Sequence, residues 1–363
     1  MKIVEATSRH LSVPLKQVIS SAGGTYPSMD LVVVEIRTDA GSSGMGYTSF
    51  LGGQGARAAR TFFDHDVRPL LLGADPREAV PLWERLAAAT KMRGRKGLVL
   101  YVLSAVDLAL WDHLGVLAGQ PVFRLLGGGA APIPVYLTGG WLSYSDAELC
   151  AEAEVAVRAG IPGYKMKVGG GDVRNDARRV EKVRAVLGDG RKLMVDANQR
   201  FDLRAALEMA EALKDLGVTW LEEPVLTDDL EALRELGRRS PLPLAAGENE
   251  YTRYGFRTLL ETRALAYVQP DVQRVGGVAE WLRVATLANV AGLPVTPHLA
   301  HEFHVHLMAA APNAFWVEFF DWAPADLFAE CAAVKSGAIA PPDRPGFGVA
   351  LAPDALRRYA APA

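Results

Sequence analysis

"GYKMKVGGGDVRNDARRVEKVRAVLGDGRKLMVDAN", residues 163–198, reads as strand, helix, strand. Its ends are short apolar and β-branched runs, and between them charged and apolar residues recur at helical spacing. Strands joined through one helix run parallel, because the crossover returns the chain to the same end of the sheet. The texture recurs in "IPVYLTGG" (133–140), "VTWLEEP" (218–224), "LPLAAGE" (242–248), "LAYVQPD" (265–271), "LPVTPH" (293–298) and "AFWVEFF" (314–320). Eight such strands are the number that closes a (β/α)8, or TIM, barrel, so the fold class is α/β with a barrel over 129–325.

Residues 1–128 have a different pattern. The β-rich runs "MKIVEATSRHLSVP" (1–14) and "DLVVVEIRTDAG" (30–41) and a third strand precede segments of helical spacing at 55–69, 76–91 and 98–118, which predicts a separate α+β domain. Between the first two strands, "KQVISSAGGTYPSMD" (16–30) reads as a Gly- and Ser-rich loop, and "SFLGGQGAR" (49–57) as a second one; both are candidate lids. The segment 326–363 contains no further strand–helix unit and is expected to pack back on the first domain.

The 363 residues suit two domains. A net charge of −3 and a pI near 6.2 offer no basic stripe for nucleic acid, so a small-molecule partner is expected. Two cysteines, Cys150 and Cys331, cannot make a disulfide framework. No apolar run of membrane-spanning length and no signal peptide are read, and a cytoplasmic location without membrane contact is expected.

Each barrel strand from the second onward ends in an ionisable residue: Lys165 and Lys167, Asp196, Glu222, Glu248, Asp271, His298 and Glu318. The C-terminal strand ends of a barrel converge on one mouth. Asp196, Glu222 and Glu248, from three successive strands, would repel one another unless a cation sat among them. Hard oxygen donors in that number suit Mg2+ better than zinc, the alternative being an ion-pair network with arginines. Glu223 has the opposite strand parity and is expected to face the outer helices. Lys165 and Lys167 leave one face of their strand, and an ammonium beside another ammonium and a metal has its pKa lowered toward that of a base. His298 and Asp271 can form a dyad in which the carboxylate fixes the ring tautomer. His301, His304 and His306 are read as structural.

Taken together, "KMK" (165–167), "VDAN" (195–198), "LEEP" (221–224), "GEN" (247–249), "QPD" (269–271), "TPH" (296–298) and "VEFF" (317–320) resemble the enolase superfamily, and within it the mandelate racemase subgroup. The stretch "LSAVDLALWDHLGVLAGQPVFRLLGG" (103–128) is similar to the last helix and linker of that family's N-terminal capping domain. The resemblance implies Mg2+ on Asp196, Glu222 and Glu248, Lys167 as base on one face of the substrate, and His298 with Asp271 on the other. It further implies that Lys165 contacts the substrate carboxylate, that Glu318 hydrogen-bonds the enediolate in a protonated or proton-sharing form, and that Asn198 meets the 2-hydroxyl. A homo-oligomer acting on a small carboxylate is expected.

Two bases permit dehydration of a sugar acid to a 2-keto-3-deoxy acid, or racemisation or epimerisation of a 2-hydroxy acid. The same residues are compatible with cycloisomerisation of a sugar-acid lactone, and with a barrel that binds a metal or sugar acid without turnover. Dehydration is favoured because the candidate lids carry polyol-binding groups: Lys16 and Tyr26 in the first, Gln54 and Arg57 in the second.

Overall fold

The computed structural model describes residues 1–362. Three antiparallel strands open it: β1 (Ile3–Ser21), β2 (Gly24–Thr38) and β3 (Ser43–Leu51). Then come α1 (Ala56–Phe62), a π-helical turn, α2 (Arg68–Leu71), α3 (Ala79–Thr90), α4 (Leu98–Ala118) and α5 (Val122–Leu125). Helix α4 lies directly on the sheet, since a Cβ at Gly46 of β3 would sit 2.3 Å from the Ala105 carbonyl oxygen. Contrary to the expectation of no membrane-length apolar run, α4 is long and apolar enough to cross a membrane by length and composition. Its apolar side chains are instead largely buried in the protein's own core.

The segment 16–30 is not a loop. Strands β1 and β2 continue through it as a hairpin with Ile19 opposite Tyr26 and a tight turn after Ser21. The tip reaches the barrel: Leu142 N donates to Ser20 O at 2.9 Å, Gln17 bonds to Tyr144, and Ile19 is buried in the main core.

The barrel strands are β4 (Ile133–Gly139), β5 (Gly163–Lys167), β6 (Lys192–Asp196), β7 (Val218–Glu222), β8 (Leu244–Ala246), β9 (Leu265–Val268) and β10 (Val317–Phe319). They pair in parallel from β4 to β9, and β10 returns onto β4. Between β9 and β10 the expected strand "LPVTPH" is a single residue, Val295, bridging Val268 and Ala314. Pro294 and Pro297 lack the N–H groups that a longer ladder needs.

The surrounding helices are α6 (Asp146–Arg158), α7 (Val173–Leu187), α8 (Leu203–Leu213), α9 (Leu230–Arg239), α10 (Thr252–Glu261), α11 (Val278–Val290) and α12 (His301–Met308). Four of them begin at a side-chain cap: Ser145, in a capping box with Glu148, then Asp172, Asp202 and Asp229. Such caps contribute about 1 kcal/mol each and fix where each mouth loop ends.

The tail contributes β11 (Phe328–Glu330), β12 (Val334–Lys335), β13 (Ala338–Ile339), β14 (Ala350–Leu351) and α13 (Ala355–Arg358). β13 pairs with the start of β4, and farther on Tyr359 O accepts from Ser12 N at 2.7 Å.

Three residues at three-residue spacing on α4 grip the segment that leads from β9 into α11. Tyr101 faces Arg274, Ser104 Oγ accepts from Gly276 N at 3.0 Å, and Asp107 Oδ2 accepts from Ala279 N at 3.3 Å. Gly277, at φ 88°, allows the approach: a Cβ there would sit 2.5 Å from that of Asp107.

Candidate active site

Every strand-end residue that the sequence singled out is buried at the mouth. Asp196, Glu222 and Glu248 bring carboxylate oxygens within 4.8 Å of one another. Lys165 Nζ donates to Glu222 Oε1 at 2.5 Å, lies 2.9 Å from Glu318 Oε1 and 4.0 Å from Asp196 Oδ2. Lys167 donates to Asp196 Oδ2, and its ammonium stands 5.6 Å from the centre of the Trp141 ring. Trp220 Nε1 and Gln269 Nε2 both donate to Glu222 Oε2, at 2.9 and 2.7 Å. On the far side, His298 Nδ1 is 2.9 Å from Asp271 Oδ2 and Nε2 is 3.3 Å from Glu248 Oε2. Glu318 accepts from Thr138 Oγ1 and from Leu299 N at 2.8 Å.

Backbone geometry aims these groups. Asn198, Glu223, Leu299 and Ala300 follow the strand ends with φ between 35° and 49°, a region in which non-glycine residues are strained. The bend defeats the parity argument for Glu223. Its carboxylate stays at the mouth, accepting from Asn249 Nδ2 at 2.7 Å and Thr227 Oγ1 at 3.2 Å, and burial beside Glu248 and Asp196 pushes its pKa up.

The charge balance is unequal. Six buried carboxylates, at Asp196, Glu222, Glu223, Glu248, Asp271 and Glu318, face three permanent cations, Lys165, Lys167 and Arg274. Burial, with Asp196, Glu318 and Glu248 as like-charged neighbours, lifts Glu222 to about 7 although Lys165 opposes it. Glu248 Oε2 and Asn198 Oδ1 are buried without a hydrogen-bond partner. An uncompensated buried charge costs several kcal/mol. A hard divalent cation held by Asp196, Glu222 and Glu248 fits both the surplus charge and the all-oxygen donor set.

The carboxylates around the paired lysines work against the lowering expected from a neighbouring ammonium and a metal. Burial lowers the pKa of both, but Glu222 and Glu318 around Lys165, and Asp196 against Lys167, outweigh it and raise them. The lysines do lower each other's affinity for protons, yet each carboxylate contact is closer. At Glu318 burial works against the charge, but Lys165, His298 and its two hydrogen-bond donors hold its pKa well below the usual carboxylate range. Asp271 is lowered because His298 and Arg274 outweigh burial, and His298 is raised, Glu248 and Asp271 outweighing burial and Arg274.

Of the substrate-binding candidates, Asn198 is at the centre, donating to Asp196 from its backbone N at 2.8 Å and from Nδ2 at 3.1 Å. Lys16 is exposed and paired with Asp321 at 2.6 Å, outside the carboxylate cluster. The Tyr26 ring lies over Gly23, Gly24 and Gly52 of the hairpin region. Gln54 and Arg57 line a separate 350 Å³ cleft with His10, Ser12, Ser28 and Asp30. His304 and His306 have both nitrogens engaged by backbone groups.

Sequence reasoning passed over Trp141, Thr138, Gln269 and Arg274. Thr138 and Gln269 had a signal, since each closes a barrel strand as the ionisable residues do. Trp141 lies beyond its strand, where it packs 5.3 Å from Phe320 between Lys167 and the hairpin.

Family models match along most of the chain: the "Mandelate racemase / muconate lactonizing enzyme, N-terminal domain" over 3–127 and the "Enolase C-terminal domain-like" model over 148–355. The chain belongs to the mandelate racemase / muconate lactonizing enzyme family of the enolase superfamily. It is 35% identical to a 3,6-anhydro-alpha-L-galactonate cycloisomerase of Streptomyces coelicolor, over 96% of each chain. It is 34% identical to an arabinonate dehydratase of Saccharolobus solfataricus, over 91% of each. A racemase from Streptomyces coelicolor, crystallised with bound magnesium, superposes with a TM-score of 0.95 at 34% identity, covering 99% of this chain and 100% of that one. This family's N-terminal and barrel domains thus meet here around one acidic mouth.

Proposed function

We propose that the chain is a Mg2+-dependent lyase that removes the proton α to a carboxylate and dehydrates a sugar acid to a 2-keto-3-deoxy acid. One observation carries the reading: the two bases attach to opposite ends of the carboxylate triad, Lys167 at Asp196 and His298 at Glu248. A substrate seated over the triad therefore has one base on each side.

Mg2+ on Asp196, Glu222 and Glu248 would supply Lewis-acid polarisation of the substrate carboxylate and would draw Asp196 away from Lys167. Lys165 stays charged among its carboxylates and holds the carboxylate of the substrate. Lys167, on the same face, takes the α-proton. His298, as the imidazolium with its Nδ1–H held by Asp271, has the Nε2 proton to deliver to the departing 3-hydroxyl, a poor leaving group unless protonated. Trp141 and Phe320 cover the Lys167 side and keep water from it.

Arabinonate and anhydrogalactonate, in the names of two relatives, are sugar acids, which supports the substrate class. The test is a panel of sugar mono- and diacids in deuterium oxide, read by mass spectrometry. A product lacking one water is expected. His298→Asn should lose elimination by about 10³-fold while still exchanging the α-proton. A product of unchanged formula with carbon 2 inverted would instead make the chain a racemase.

A further inference from the structure

Lys167 stands under an aromatic wall. Its ammonium lies 5.6 Å from the centre of the Trp141 ring, and Trp141 packs 5.3 Å from Phe320, with Ile19 of the hairpin buried in the same core. A substrate carbon that gives up its proton to Lys167 must come within about 3–3.5 Å of Nζ. The ring stands over that same ammonium, so the groups attached to the carbon have the indole as a neighbour. The wall therefore meets the part of the substrate that the metal end does not hold.

The wall cannot step aside. Trp141 O accepts from Arg179 Nη2 at 2.8 Å, and Arg179 is itself buried on α7. The flanking residues are tied as well: Leu142 N donates to Ser20 O at 2.9 Å, and Gly140 O accepts from Lys167 N at 3.1 Å. A Cβ at Gly140, where φ is 59°, would sit 2.4 Å from that of Met166, so the chain is pressed onto β5 at this point. The face of an aromatic ring carries negative electron density, which favours C–H groups and cations and disfavours an anion. On this side of the mouth Lys16 is exposed and paired at 2.6 Å with Asp321, the residue after Phe320. Deeper in, Lys165, Lys167 and Arg274 are each engaged by the mouth's own carboxylates, which outnumber them.

We propose that Trp141 is a specificity-determining residue that confines the substrate to acids with a single carboxylate, the aldonic class, and rejects aldaric diacids of the same length. A second carboxylate brought against the indole would be stripped of water while the cations around it are committed elsewhere, whereas the C–H face of an aldonic acid is accepted there. This specificity rests on the reading of the mouth as one for a sugar acid, but it can be measured by binding as well as by turnover. Pentonates and hexonates are compared with the aldarates of the same length on the full chain with saturating MgCl2, by kcat/KM for acids that are turned over and by calorimetric Kd for the rest. The wild type should favour its best monoacid over its best diacid by about 100-fold or more. Trp141→Gln, which removes the ring and offers an amide donor, should cut that ratio by about tenfold or more.

A tryptophan that merely supports the fold would lower activity on both classes alike and leave the ratio unmoved, and that result overturns the proposal. If Trp141→Gln does not fold, Phe320→Leu, which withdraws the ring packed on the indole, should lower the ratio by roughly threefold, and an unchanged ratio refutes the wall equally. A wild type that prefers diacids overturns it outright, and loss of that preference in Lys16→Ala would assign the distal carboxylate to Lys16. If no acid is turned over, the proposed function fails, and the ratio of Kd values still decides the role of Trp141. If none binds, both fall.

Discussion

Asp107 offers a quantitative test of how α4 is locked to the barrel. Its carboxylate is fully buried at the start of α11, one oxygen accepting from Ala279 N and the other without a partner. Burial raises its pKa from 3.8 to about 7, with Glu280 adding to the shift and the Ala279 and Val278 amides and Arg283 opposing it. Below about pH 4 both folded and unfolded chains are protonated and nothing is lost. Between 3.8 and 7 the unfolded chain has released the proton while the fold retains it, so stability falls as pH rises, by about 1.4 kcal/mol per unit. Above 7 both states are ionised and the loss levels off at roughly 4 kcal/mol.

Asp107→Asn does not titrate, so its stability relative to the wild type should climb across that window. From pH 5 to 7 the difference grows by about 2.7 kcal/mol. With an unfolding entropy near 2.1 cal/mol/K per residue, the chain has about 0.76 kcal/mol/K, and the gap in melting temperature should widen by about 3–4 °C. Scanning calorimetry of both proteins at pH 5, 6, 7 and 8 measures it. Any constant offset from the altered hydrogen bonding cancels in the slope. A gap that stays flat, or narrows with pH, would mean that the α11 amides keep the carboxylate ionised in the fold and the buried-acid account is wrong.

Removing and restoring the metal should be visible without substrate: Mg2+ at a hundredfold its Kd adds about 2.7 kcal/mol, and Asp196→Asn should lose most of that rise in a thermal-shift titration. Lys167→Ala should abolish deuterium exchange on its face of the substrate by about 10²–10⁴-fold; residual exchange near the wild-type rate would take the base role from it. Gly277→Ala should cost about 2–4 kcal/mol through its positive φ and the collision with Asp107, read as a lower denaturation midpoint with secondary structure intact at low denaturant.

The barrel and its polar mouth were legible because both follow from local rules. Period-2 apolar runs, helix caps and the closing residue of each strand can be read one segment at a time, and a barrel brings the same end of every strand to one place. Val295 shows where local reading overshoots: "LPVTPH" has the composition of a strand, but two prolines leave it one bridge. The hairpin shows the opposite error. Its glycines and serines look like a loop, whereas what holds it extended is pairing with residues on the facing strand and contacts more than a hundred residues away. The carboxylates pressed against Lys165 and Lys167 were illegible for a related reason. The lysines' separation from each other is fixed by the strand, but their separation from Glu222, Glu318 and Asp196 is fixed by the closure of the barrel, and the shorter distance decides the sign of the local field.

The segment "DVQRVGG", 271–277, joins these two levels. It begins with the carboxylate that orients His298, continues with the arginine that grips that carboxylate, and ends in Gly277, against which Asp107 of α4 packs. Only a residue without a side chain at 277 admits Asp107 so closely, while one and two turns earlier on α4 Ser104 accepts from Gly276 N and Tyr101 faces Arg274. The N-terminal domain therefore does not simply roof the barrel. Through α4 it sets the position of the turn that carries Asp271, so the alignment of one of the two bases depends on how firmly the two domains are pressed together. Lys167 does not depend on α4, since Lys165 shares its strand and Asp196 is on the next one, and its tie to the N-terminal domain runs through Trp141 and the hairpin. Loosening α4 should therefore degrade protonation at His298 before it degrades proton removal at Lys167.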